Sequence, residues 1–271
     1  MNIFKKKTES TVTYNQQGVG DINVVTPPNY GWLEKRLTKD EMDYLWRCIE
    51  NKKGDWRQYL AGNIHDSRLL LDRGDWFFEN TLRPLCDKYQ EEFGDKLSIY
   101  PINSRHPYML YQMWVNYQQK HDFNPIHTHT GVYSFVVWMK IPTYSQQQYK
   151  TKHSIKANMP VASDFHFCYL DILGGQRQHR YSLEPAANGY MLFFPSQLPH
   201  LVYPFYECEE ERISISGNIF FVDPNRPKMQ EISVSEYEKA KNKLKLMEND
   251  VQEFKKELES MKKVEENRGS N

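Results

Sequence analysis

The sequence predicts an α+β chain in which supporting helices precede an antiparallel β-sandwich or barrel and one long charged helix follows it. Three observations carry that prediction. Residues 38–51 and 67–93 hold apolar side chains at helical spacing. From about residue 99 the period shortens to that of strands. Beyond residue 228 an uninterrupted charged stretch carries a heptad of apolar residues.

In the helical part, TKDEMDYLWRCIEN (38–51) places Met42, Leu45, Trp46 and Ile49 on one face, and Thr38 with Glu41 fits a capping box. Residues 67–93 read as one or two further helices, with Pro84 kinking the run or opening its second part. Residues 1–30 are polar and contain Gly18, Gly20 and Pro27-Pro28, which suits an irregular or short-strand lead-in.

The strand-like part contains 108–118 (YMLYQMWVNYQ), 132–140 (VYSFVVWMK), 164–172, 189–194 (GYMLFF), 199–203 and 212–222 (RISISGNIFFV), with no helical pattern between them. Gly174-Gly175 reads as a hairpin turn, and the polar stretch 143–160 as a loop or a lid. The aromatic run 190–194, Trp114 and Trp138 are expected in the core. After the break at DPNRPK, Ser233 and Glu236 form a second capping-box signature. Tyr237, Ala240, Leu244, Met247, Val251, Phe254, Leu258 and Met261 then make an a/d seam, either against the chain's own β-domain or as a coiled-coil homodimer over 233–264. The domains implied are 1–98, 99–228 and 229–271.

Charge and cysteine content bound the function. With 35 basic and 35 acidic residues the net charge is zero, so no basic field points to nucleic acid. Cys48, Cys86, Cys168 and Cys208 form no CxxC pair and are too sparse for a disulfide scaffold. MNIFKKKTES lacks an apolar h-region, and no 18-residue apolar run exists, so a cytoplasmic location is expected.

Among nine histidines, three stand out by position. His127 and His129 sit in NPIHTHTG, and residues two apart on an extended segment face the same way, so both rings can reach one ion. His200 follows GYMLFFPSQLP at the start of another strand. Two close ligands and a distant third leave coordination positions open, as a catalytic metal requires. Arg212, twelve residues on, opens an apolar strand, where a charge is costly unless it meets an anion. Ser214 shares its face. A guanidinium with a hydroxyl beside it suits a carboxylate, so a dicarboxylate could chelate the metal at one end and meet Arg212 at the other. Asp122, in a turn five residues before His127, is the alternative carboxylate ligand to His129.

HxH, then GxxxxFPSxxxH, then RxSxSxN resembles the 2-oxoglutarate–iron(II) oxygenase superfamily, in particular the prolyl-hydroxylase-like group of marine phages and bacteria. The resemblance covers residues 108–222. It implies a double-stranded β-helix (a jelly-roll, cupin-like fold), with Fe(II) on His127, His129 and His200. It gives the distal carboxylate of 2-oxoglutarate to Arg212 and Ser214, with Asn116 as a further contact. It also implies O₂ as cosubstrate, ascorbate as an accessory reductant, and hydroxylation of a protein side chain such as proline or of a small metabolite. The phage resemblance would place the chain in host cytoplasm. The superfamily's usual pair is His-x-Asp or His-x-Glu; a third imidazole leaves the full metal charge, which bears on redox potential and anion affinity. Competing readings are a cupin-type three-histidine metalloenzyme that needs no buried arginine, and a non-catalytic assembly protein on the same fold.

Overall fold

The computed structural model describes residues 29–94 and 107–222. The C-terminal heptad helix and its proposed dimer seam lie outside these residues, as does His106.

Among the described residues, ten strands form two antiparallel sheets. The larger has the order β1 (Leu33–Arg36), β8 (Tyr190–Pro195), β5 (Tyr133–Lys140), β10 (Arg212–Phe221), β3 (Tyr108–Gln118), β2 (Asp66–Leu70). The smaller runs β4 (Asn124–His127), β9 (His200–Val202), β6 (Phe165–Leu170), β7 (Gln176–Tyr181). Strands β3 to β10 pass between the two sheets in jelly-roll order, with β6 and β7 as a hairpin in the smaller one, which is the expected double-stranded β-helix. The two remaining strands, β1 and β2, extend the larger sheet at its edges.

Alternation along the strands decides what each face meets. On β3 and β10, Met113, Val115, Ile215 and Ile219 join one buried apolar cluster with Leu45 and Ile49 of α1 (Lys39–Glu50) and Leu85 and Tyr89 of α2 (Arg83–Phe93). That face is therefore the helix-covered one. The opposite face carries Gln112, Trp114, Asn116 and Gln118 on β3, and Ser214, Ser216 and Asn218 on β10; these line a cavity. These two strands thus turn their aliphatic residues toward the helices and, Trp114 apart, polar ones into the inter-sheet space. A second cluster, including Trp138, Phe165, Phe167, Leu192 and Phe194, fills the rest of the interior between the sheets.

Helix α1 has the predicted capping box: the Glu41 amide donates to Thr38 Oγ1, and the Thr38 amide donates to the Glu41 carboxylate at 2.7 Å. The stretch 67–93 needs correcting. Residues 66–70 form β2, whose Ser67 and Leu70 are buried; a 3-10 turn at Arg73–Asp75 and a π turn at Phe78–Leu82 then lead into α2. Gly174, at φ 81°, makes the hairpin turn from β6 to β7. The 143–160 segment contains a short helix, α3 (Ser145–Gln148), and is pinned rather than free. Gln148 donates to the Tyr206 carbonyl and accepts from the Tyr206 amide, both at 2.8 Å. None of its residues lines the cavity, so its reading as a lid is not supported.

Candidate metal centre and cosubstrate pocket

β4 and β9 are neighbours, and their register sets His127 opposite His200. His129 lies just past the end of β4, held by its amide to the Ser196 carbonyl at 2.8 Å. The three rings meet: centroids are 4.3 Å apart for His127–His200, 4.9 Å for His129–His200 and 5.1 Å for His127–His129. One nitrogen from each lies within 4.8 Å of the others, and this is the group of metal-capable side chains found among the described residues. His129 Nε2 and His200 Nε2 are 3.1 Å apart. Two nitrogens bound at right angles to one ion at about 2.1 Å would sit at about 3 Å from each other.

Two of the rings are oriented by their own backbone. His127 Nδ1 lies 2.7 Å from the Pro125 carbonyl, and His200 Nδ1 lies 2.9 Å from the Leu198 carbonyl. In the Nδ1–H tautomer each ring donates there and leaves Nε2 free to ligate. Burial lowers the pKa of all three imidazoles, for His129 to about 3 with help from His127, so they are neutral at pH 7. A neutral imidazole is the form that binds a metal.

Asp122 lies outside the histidine group. Its Oδ2 accepts from the amides of His65 at 2.7 Å and Gln119 at 3.0 Å. His166 is buried between Asp164 and Gln178 and does not line the cavity. His121, His153 and His179 are exposed.

Arg212 is fully buried. Its Nη2 donates to Ser163 Oγ at 3.1 Å, and its guanidinium stacks over Phe205 at 4.8 Å. Nε and Nη1 have no hydrogen-bond partner among the described residues. Burial pushes its pKa down to about 9, partly offset by Asp164, whose carboxylate is engaged by Arg180 instead. Arg212 is opposite Gln118 on β3, and Gln118 Nε2 and Trp114 Nε1 are likewise buried without partners. Such donors are expensive to leave unmatched. Gln118, Trp114 and Ser214 line the cavity, of about 350 Å³, that also holds the three histidines; Arg212 itself does not line it. Asn116 lines it too, its Oδ1 fixed by Ser67 Oγ at 2.9 Å.

The donor set fits the two groups implied by the sequence. Three neutral imidazoles suit a first-row divalent ion such as Fe(II). Unmatched N–H donors next to a cationic side chain suit a carboxylate.

A family model described as "Putative 2OG-Fe(II) oxygenase" matches residues 112–218. The match begins in β3 and ends in β10, so it contains His127, His129, His200, Arg212 and Ser214. Residues 112–218 belong to the 2-oxoglutarate–Fe(II) oxygenase family. That family's activity is Fe(II)- and 2-oxoglutarate-dependent oxygenation, with 2-oxoglutarate and O₂ as cosubstrates, and the matched segment carries the whole candidate site. Solved structures similar to this oxygenase include a Pseudomonas putida prolyl-4-hydroxylase (15% identity, 72% of this chain and 94% of that one, TM-score 0.41). A Trichoplax adhaerens prolyl hydroxylase in complex with a hypoxia-inducible-factor peptide fragment matches at 13% identity over 71% and 84%, TM-score 0.41. A collagen prolyl hydroxylase of Paramecium bursaria Chlorella virus-1 matches at 13% over 70% and 96%, TM-score 0.38. No curated protein matches. No helix among the described residues is long and apolar enough to cross a membrane.

The sequence reading missed one part of the cavity. Trp56, Tyr59, Leu60 and Ala61, between α1 and β2, form one of its walls. Their segment, DWRQYLAGN, has neither helical nor strand periodicity. The available signal was two aromatics three apart in an otherwise polar stretch. Trp114 and Trp138, expected in the core, are buried and also line the cavity.

Proposed function

We propose that His127, His129 and His200 hold the iron of this oxygenase and that Arg212 receives the distal carboxylate of 2-oxoglutarate. The reaction is hydroxylation of an uncharged substrate group, on a protein side chain or a small metabolite. The observation that carries this reading is the pairing of three convergent neutral imidazoles with a buried guanidinium whose Nε and Nη1 are unpartnered.

When bound, Fe(II) and 2-oxoglutarate supply oxygen activation coupled to oxidative decarboxylation of the cosubstrate. The chain's own residues orient and enclose. The Pro125 and Leu198 carbonyls aim two rings through their Nδ1–H groups. Arg212 offers a fixed fork, and Ser214 and Gln118 stand on the neighbouring cavity surface. Asn116, held by Ser67, presents an amide to the same space. Phe165, Phe194 and Trp138 keep the surroundings apolar and dry, which strengthens each electrostatic contact.

The test is anaerobic titration of the purified chain with Fe(II) and 2-oxoglutarate, followed by admission of O₂. A charge-transfer band requiring both additions, and succinate on exposure to O₂, are expected. Loss of both in His200→Ala, and loss of the band at moderate 2-oxoglutarate in Arg212→Met, would agree with the roles given. An unchanged band in either variant would overturn that residue's role.

A further inference from the structure

A file of rings leads from the protein surface to the metal centre. Tyr59 is 58% exposed, and its ring packs on Trp56 at 4.4 Å. Trp56 stacks on Trp114 at 6.1 Å, and Trp114 lies 5.8 Å from the His129 ring. All four line the one cavity. Trp56 and Tyr59 lie outside the segment that matches the family model, so this wall belongs to the chain's own N-terminal region.

The wall is firmly seated. The Trp56 amide donates to the Ser67 carbonyl of β2 at 2.9 Å, and Asn63 bridges to Phe123 just ahead of β4. Gly62 lies so close to β4 that an added Cβ would fall 1.7 Å from Asn124 Oδ1 and 2.6 Å from the Phe123 carbonyl oxygen. The wall therefore docks on the strand that carries His127.

Among the described residues, the cavity lining contains no Asp, Glu, Lys or Arg. With Arg212 on its distal carboxylate, bound 2-oxoglutarate and a divalent ion on three neutral rings leave one net positive charge. A cationic substrate group entering beside them would be repelled, and an anionic one would lose hydration with no cationic side chain on the described lining to receive it. An uncharged group with a flat or cyclic face gains by stacking on the exposed side of Tyr59.

We infer that Tyr59, backed by Trp56, is a specificity-determining residue that receives an uncharged, ring-bearing group of the substrate and delivers it to the metal centre. This rests on the three histidines being the metal site.

The test uses the full chain loaded with Mn(II) and 2-oxoglutarate, and reads paramagnetic relaxation of probe protons. The probes are N-acetyl-L-prolinamide and N-acetyl-L-tryptophanamide (neutral rings), and N-acetyl-L-lysinamide and N-acetyl-L-glutamate α-amide (charged). The neutral ring probes should relax more than the charged ones. Their enhancement should fall about three- to tenfold in Tyr59→Ala, the range an aromatic contact is worth, and persist in Tyr59→Phe. Tyr144→Ala, which removes an exposed ring remote from the cavity lining, should match the parent. Equal relaxation of charged and neutral probes, or an unaltered signal in Tyr59→Ala, overturns the inference. Relaxation of 2-oxoglutarate itself reports the metal site separately. If even that is absent in the parent chain, the metal assignment fails and the inference falls with it.

Discussion

His127, the last residue of β4, faces His200, the first of β9, across the smaller sheet, with ring centroids 4.3 Å apart. Residues 73 positions apart in the chain are thereby fixed as neighbours by strand register alone. A one-residue slip would turn one ring to the opposite face.

Replacing either member should therefore abolish metal binding rather than weaken it. His127→Ala and His200→Ala are expected to reduce Mn(II) affinity by more than the ~100-fold that losing an outer-sphere partner can cost. Isothermal titration of the parent and variant chains checks this. Parent-like affinity in His200→Ala would remove that residue from the ligand set.

Arg212→Met should separate stability from cosubstrate binding. In the ligand-free chain the guanidinium is fully buried, with two donors unmatched. An apolar residue of similar length is expected to leave the thermal midpoint unchanged or raise it, since such replacements are often worth ~1–4 kcal/mol. The rise in midpoint that 2-oxoglutarate produces in the metal-loaded parent should be lost in the variant. Differential scanning calorimetry with and without 2-oxoglutarate reads both effects. A variant that is destabilised yet still shifted by the cosubstrate would contradict the role given to Arg212.

Gly62→Ala should disturb the aromatic wall without touching a metal ligand. The methyl group would collide with Asn124 and with backbone, and backbone cannot swing aside as a flexible side chain does. A loss of about 1–3 kcal/mol is expected from such overpacking, measured by urea denaturation. A variant as stable as the parent would mean that the segment is not held against β4.

Glu41 gives a pH dependence of definite sign. Burial raises its pKa, but hydrogen bonds from Thr38, Thr81 and Lys35 outweigh burial and hold the carboxyl below its ordinary 4.5. A carboxylate with a lowered folded-state pKa stabilises the fold fully above the unfolded value, and the benefit is lost as pH falls through the folded one. Glu41→Gln keeps an acceptor for the Thr38 amide but loses the charge-assisted contacts from Thr81 and Lys35, and should cost about 1 kcal/mol at pH 7. The gap between parent and variant should narrow as pH falls below the ordinary 4.5. Chemical denaturation at pH 7, 5 and 3.5 tests this; a gap that widens at low pH would reverse the sign.

The strands that the sequence made legible are those whose residues meet two different environments. β3 and β10 mix apolar with polar residues along one strand, β5 and β8 are near-continuous apolar runs, and each lies within a residue or so of its predicted limits. β7, QRQHRY, went unseen because it is a sheet edge with no apolar face to write into the sequence. β4 is four residues long and contains Pro125, and β1 is equally short. The residues of β2 join smoothly to the helical spacing that follows. The histidines and Arg212 were legible because polar groups at strand positions need a reason. The roles of Trp56 and Tyr59 were not, since a pair of aromatics in an irregular stretch looks the same whether it covers a core or lines a cleft.

The rings of His127 and His200 each lean on a carbonyl two residues upstream in the same chain segment. Their aim is thus written chiefly into the short stretches Pro125–His127 and Leu198–His200, with Phe165 and Phe194 packed on the His200 ring and residues 56–61 packed on neither. A library that randomises residues 56–61 should for that reason retain a working centre in most of its members. This scaffold is well suited to acquiring new substrates by exchange of one surface segment.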